Sequence, residues 1–201
     1  MGSKITNVLK FLFFVLLLPF VITSTQAFGT QLGELPGRLT EYFMNGILAY
    51  LLVHIFIYEP QPIYQYGQNL VSSVFKFFSP FVRIAPFVLP IFSFIFLILF
   101  YLASLIFKSQ EIQNVLMFFV SFTLAMHMVF TAKAMRDRDT NAAKPNYFFA
   151  VSLIYSVNIF MLALAFHLIL KDFSFPDFFQ SATQETERIY KTVFNQLFVA
   201  K

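Results

Sequence analysis

The chain has no cysteine and no tryptophan among its 201 residues, and only 12% of it is charged. Without cysteine there is no disulfide framework, no thiolate metal site and no cysteine nucleophile, and the redox compartment stays undecided. The shortage of charge excludes more. With 58% of the residues hydrophobic and 31 of them phenylalanine, too little polar surface remains to solvate a water-soluble domain. Catalytic motifs are missing as well. There is no HExxH, no pair of histidines at i,i+4, and no serine or threonine in a nucleophile context. No two carboxylates fall inside one apolar run, so acid–base catalysis has no support.

What is present is a series of charge-free apolar runs. The most telling stretch is 79–107, where Pro80, Arg83, Pro86 and Pro90 precede or enter an uncharged run from Ile84 to Phe107. A hydrocarbon core about 30 Å thick takes about 20 apolar helical residues, which this run supplies, with Pro80 or Pro86 suited to a first helical turn and Pro90 to a kink inside the membrane. Further spans are expected at 42–58, 112–132 and 146–170. The predicted fold is therefore all-α: a polytopic membrane protein with four transmembrane helices plus an N-terminal signal peptide or signal-anchor helix. Residues 1–27 have the signal layout: Lys4 and Lys10, an apolar centre from Phe11 to Ile22, then Ser24-Thr25-Gln26-Ala27 before a cleavage point. The domain reading is 1–27 as signal or anchor, 28–170 as one transmembrane domain, and 171–201 as an amphipathic tail.

Two amphipathic helices are expected outside the spans. In 63–78, Ile63, Tyr66, Leu70, Val74 and Phe77 recur at helical spacing opposite glutamines, serines and Lys76, a pattern suited to the headgroup plane. In 177–199, Phe178, Ala182, Ile189, Val193 and Leu197 share a broad face, and Phe175-Pro176-Asp177 reads as its start. Lys4, Lys10, Lys76, Arg83, Lys133, Arg136, Arg138 and Lys144 collect on one side of the membrane if every run crosses. That side is the cytoplasmic one, which leaves the C-terminal tail on the outer side of a bacterial or organellar inner membrane. The basic residues thus address lipid headgroups and topology, not nucleic acid.

The candidate chemistry lies at membrane depth. His54, His127 and His167 all fall within spans, where an ionisable side chain is a functional candidate by default. Tyr50, His54 and Tyr58 form an i, i+4, i+8 stripe on the second span, and Thr123, His127 and Thr131 form the same stripe on the fourth. His54 and His127 come to similar depths near the cytoplasmic face. They could ligate one haem b iron, or line a quinone or proton path. The plainer reading is interhelical hydrogen bonding among neutral His, Tyr and Thr. Met126-His127-Met128 is not a copper site, since adjacent helical residues point about 100° apart. Glu59 and Arg83 flank the first amphipathic helix, either as a pair that fixes it against the second and third spans or as two separate snorkelling side chains. Ser152 and Ser156 give the last span a small-residue patch for close helix contact.

These features lead to the expectation of a non-catalytic membrane subunit or scaffold of a larger complex, contacting lipid and other membrane chains or copies of itself. The alternatives are a haem- or quinone-binding anchor resting on His54 and His127, and a small oligomeric transporter or channel.

Overall fold

The computed structural model describes residues 2–56, 60–76, 84–107, 109–138 and 145–199, with side chains from residue 5 onward. Every regular element among them is helical. In chain order they are α1 (Gly2–Gly33), α2 (Leu39–Phe56), α3 (Gln61–Val74), α4 (Ala85–Val88), α5 (Ile91–Ile106), α6 (Gln110–Arg138), α7 (Pro145–Ile169) and α8 (Phe175–Phe194). A π-helical turn, Asn195–Val199, extends α8. Four helices are long and apolar enough to cross a membrane: α1, α2, α6 and α7.

The stretch 84–107 departs from expectation. In place of one span there is a four-residue turn, an extended residue and a 16-residue helix. The cause is Pro90. Its ring disfavours helical backbone at the preceding residue, and Leu89 indeed sits at φ −98°, ψ 110°. Helix α5 restarts beyond the proline and is about 24 Å long at the usual rise, short of a hydrocarbon core.

Contacts group the helices into two compact units, 35–134 and the pair of segments 1–34 with 135–201.

In the second of these units α1, α7 and α8 pack together. Helix α7 runs parallel to α1: Lys10 donates to Asn146 Oδ1 at 2.5 Å, the Phe14 ring stacks on Phe148, and Phe28 meets Phe166. Helix α8 runs back antiparallel. Its start is fixed by Ser174, whose side chain accepts from the Asp177 N–H and whose own N–H donates to Gln31 Oε1 at 2.9 Å. Thr186 then meets Thr23, oxygen to oxygen at 2.6 Å, and the Tyr190 hydroxyl donates to the Leu16 carbonyl. Phe28, Phe166, Phe173 and Phe178, all buried, form the aromatic centre of the unit.

In the other unit α6 is the hub, burying Asn114, Met117, Val120, Ser121, Thr123, Met126, His127, Phe130 and Thr131. Helix α2 lies against it through Gly46. Helix α3 packs on α4 and α5 with Tyr64, Gly67 and Val71 inward. The apolar stripe expected to meet the headgroup plane is the outward face of α3: Ile63, Tyr66, Leu70 and Val74 are 52%, 67%, 37% and 56% exposed. Lipid is as apolar as a protein interior, so the stripe has no need to turn inward. At the N-terminus of α2, Arg38 forks Glu41 with two 2.9 Å bonds, and that carboxylate holds the guanidinium above its ordinary pKa. Being exposed, the pair adds little to stability.

Candidate functional site

The break between α4 and α5 has a consequence for the backbone. In a continuous helix the Phe87 carbonyl would accept from the N–H of Ile91, four residues on. Here that N–H donates to the Leu89 carbonyl at 2.9 Å, and residue 90, being proline, has no N–H to give. The Phe87 oxygen, on a half-buried residue, thus lacks the donors that a continuous helix would give it.

His127 supplies the donor. Its Nε2 lies 3.1 Å from the Phe87 oxygen, with the side chain only 6% exposed. A carbonyl can only accept, so Nε2 carries the proton, and in the neutral ring Nδ1 is left as an acceptor.

Around this bond α6 supplies further polar partners. Thr123 Oγ1 lies 3.1 Å from Ser93 Oγ on α5 and also donates to the Phe119 carbonyl at 2.7 Å. Thr131 Oγ1 lies 3.1 Å from the Tyr64 hydroxyl on α3, which in turn accepts from Gln68 at 2.6 Å. The residual cavity, lined by Tyr64, Gln68, Pro90, Thr123 and His127 among others, has about 10 Å³ open to the centre of a water-sized sphere. That is room for one water.

The expected pair of histidines has a different arrangement from a ligand set. His54 is half-buried, its Nδ1 3.4 Å from the Tyr50 hydroxyl and its ring stacked on that tyrosine. Ring contacts then run from His54 to Phe130, from Phe130 to Tyr64, and from Tyr64 to His127. An iron held by both imidazoles would have to displace those aromatic rings and the Phe87 bond. The single-water cavity is far below the roughly 300 Å³ at which ligand pockets begin, so the residues as they stand do not fit a haem. Among the described residues no group of three or more His, Asp or Glu is placed to hold a metal ion.

Of the other residues singled out, Tyr50 is fully buried, and Ser152 and Ser156 are buried on α7. Ser156 donates back to the Ser152 carbonyl at 2.9 Å. Tyr58, Glu59 and Arg83 lie outside the described residues. Sequence reasoning missed Tyr64, Gln68, Ser93 and the Phe87 carbonyl. A usable signal was present: a proline inside an apolar run implies a stranded carbonyl, and a histidine at depth is a ready donor.

One buried polar atom in the α1–α7–α8 unit is left over. Asn158 is 1% exposed; its Nδ2 donates to the Ile154 carbonyl, but Oδ1 has no partner among the described residues. Removing an unsatisfied acceptor together with a redundant donor is neutral to favourable. Asn158→Leu is therefore expected to raise stability by up to about 1 kcal/mol, read as a higher midpoint of thermal unfolding in detergent micelles. A lowered midpoint would mean that Oδ1 serves a partner.

Comparison with protein-family models, curated proteins and solved structures finds no match for this chain.

Proposed function

We propose that the chain is a non-catalytic integral membrane component that acts by assembling with other membrane chains, on the cytoplasmic or corresponding inner membrane. The observation that carries this reading is the use made of His127. The side chain best suited to ligand or proton chemistry is committed to a backbone carbonyl of its own unit. Thr123, Thr131 and Tyr64 are likewise engaged within the chain, and among the described residues the cavity beside them has room for one water.

In this reading α1 is a retained anchor and not a cleaved signal peptide. Its contacts with α7 and α8 lie on both sides of Ala27, through Thr23 before it and Phe28 and Gln31 after it. Cleavage there would separate one helix from its aromatic and threonine partners.

Native purification in a mild detergent tests the proposal. A colourless protein that retains other chains in fixed stoichiometry is the expected result. A Soret band that disappears on His127→Ala would overturn it in favour of the haem-binding anchor. A second reading draws on the α4–α5 break, since helices interrupted beside polar side chains are how many transporters present backbone groups to a solute. Solute flux in liposomes containing this chain alone would establish that reading.

A further inference from the structure

Helix α8 changes character along its length. Before Tyr190 its exposed side chains are mainly polar, among them Gln180, Gln184, Glu187 and Arg188, while Phe178, Ala182 and Thr186 are buried. From Tyr190 to Phe198 every residue is exposed, and Val193, Phe194, Leu197 and Phe198 form an outward apolar stripe. Leu197 and Phe198 are 70% and 73% exposed. The stretch from Thr192 to Ala200 carries no charge. Three contacts fix the height of α8 on the antiparallel α1: the Ser174 N–H with Gln31, Thr186 with Thr23, and the Tyr190 hydroxyl with the Leu16 carbonyl. With a rise of about 1.5 Å per residue in both helices, 193–198 come level with about 8–13 of α1. There Val8, Leu9, Phe11, Leu12 and Phe13 are exposed as well, on a helix long and apolar enough to cross a membrane.

We propose that residues 190–198 are inserted in the hydrocarbon of the bilayer beside the apolar centre of α1, so that α8 enters the membrane end-on and lipid acyl chains cover its stripe. The inference rests on α1 crossing the membrane and not on which chains assemble with this one. Level selects lipid, because what surrounds the outward apolar residues of α1 surrounds those of α8 beside them. The ion pairs agree. Lys191 reaches back to Glu187 and Arg188 to Glu185, each at 2.6 Å, one turn towards the level of Thr23-Ser24-Thr25-Gln26, where α1 is itself polar. Charged heads drawn to a polar level over apolar stems are the snorkelling arrangement. The stripe is also built of bulky valine, phenylalanine and leucine, without the small residues that bring helices together in membranes. A helix lying in the headgroup plane keeps an apolar face from end to end, whereas before Tyr190 the one exposed large apolar side chain of α8 is Phe179. The uncharged stretch rises about 13 Å, close to half of a roughly 30 Å core, so one leaflet accommodates it.

The absence of tryptophan makes the test direct, because an introduced indole is unique. Full-length Phe198→Trp and Gln184→Trp chains are reconstituted in phosphatidylcholine vesicles with brominated acyl chains, or in unbrominated ones with iodide on both faces. Phe198→Trp emission is expected to be strongly quenched by the brominated chains and protected from iodide, and Gln184→Trp to show the reverse. Iodide quenching of Phe198→Trp equal to that of Gln184→Trp would place the stripe in water. Equal quenching of both by brominated chains would lay α8 along the membrane surface. Protection of Phe198→Trp from both quenchers would mean that protein covers the stripe, whether a second copy or a different chain. Each of these three results overturns the proposal. The assembly reading is checked separately by the chains retained on native purification, so either can fail while the other stands.

Discussion

Alanine at Gly46 is expected to force α2 away from α6. A Cβ built there would lie 2.1 Å from Ser121 Oγ and 2.2 Å from the Phe118 carbonyl oxygen. The serine hydroxyl can rotate out of the way. The carbonyl cannot, because it belongs to the backbone ladder of α6. The two helices must therefore separate, loosening Tyr50 from Phe122 and from the Met126–Phe130 cluster beneath it. Overpacking of this kind costs about 1–3 kcal/mol, and with backbone as the obstacle the upper part of that range applies. Gly29 on α1 is the matched control, since its Cβ would meet nothing within 4 Å. Gly29→Ala should be neutral or stabilise by up to about 1 kcal/mol, the ordinary helix preference for alanine. Unfolding midpoints in the same detergent check both: a fall for Gly46→Ala and none for Gly29→Ala. Equal behaviour of the two would contradict the close α2–α6 approach.

His127→Leu is expected to destabilise the chain by about 1 kcal/mol, the net worth of the hydrogen bond it removes from the half-buried Phe87 residue. The substitution nearly preserves apolar packing, so the loss is mainly that of the hydrogen bond. Pro90→Ala should change the size of this effect. With an N–H at residue 90 and helical backbone at Leu89, α4 and α5 can join, and the Ile91 N–H becomes free to reach the Phe87 oxygen. In that background His127→Leu should cost less, giving a coupling of the order of 1 kcal/mol between residues 37 positions apart. Strict additivity would mean that the histidine and the helix break are unrelated.

Much of the fold was legible in the sequence because apolar length is a direct measure of span capacity. The charge-free runs located α2, α6 and α7, and Phe175-Pro176-Asp177 located the start of α8. The break in 84–107 was legible only as a kink at Pro90, not as a full interruption of the helix. Residues on both sides of Pro90 are equally apolar, so hydropathy cannot distinguish one long helix from two short pieces. The outward apolar stripe of α3 was legible from its spacing, whereas its inward face, Tyr64, Gly67 and Val71, was not, because no pattern in the sequence singles those residues out.

The candidate site was half legible. The stripes containing His54 and His127 were readable from spacing, and Tyr50, Thr123 and Thr131 do make polar contacts at those levels. The partner of His127 was not readable, because it is a backbone oxygen 40 residues away whose availability depends on where α4 stops. Long-range pairing of α8 with α1 was equally silent. Thr23 and Thr186 are unremarkable in their own helices, and only the return of the chain brings them together.

The central claim is that His127 serves the fold as the donor to the Phe87 carbonyl. Solid-state NMR of bilayer-embedded protein, with ¹⁵N-labelled histidine and ¹³C-carbonyl phenylalanine, measures this directly, with His127→Gln identifying the resonance. The account predicts an imidazole protonated at Nε2, with that nitrogen in short-range dipolar contact with the Phe87 carbonyl, as the 3.1 Å N···O separation requires. A proton on Nδ1 with Nε2 bare, or no contact between Nε2 and the Phe87 carbonyl, would contradict it.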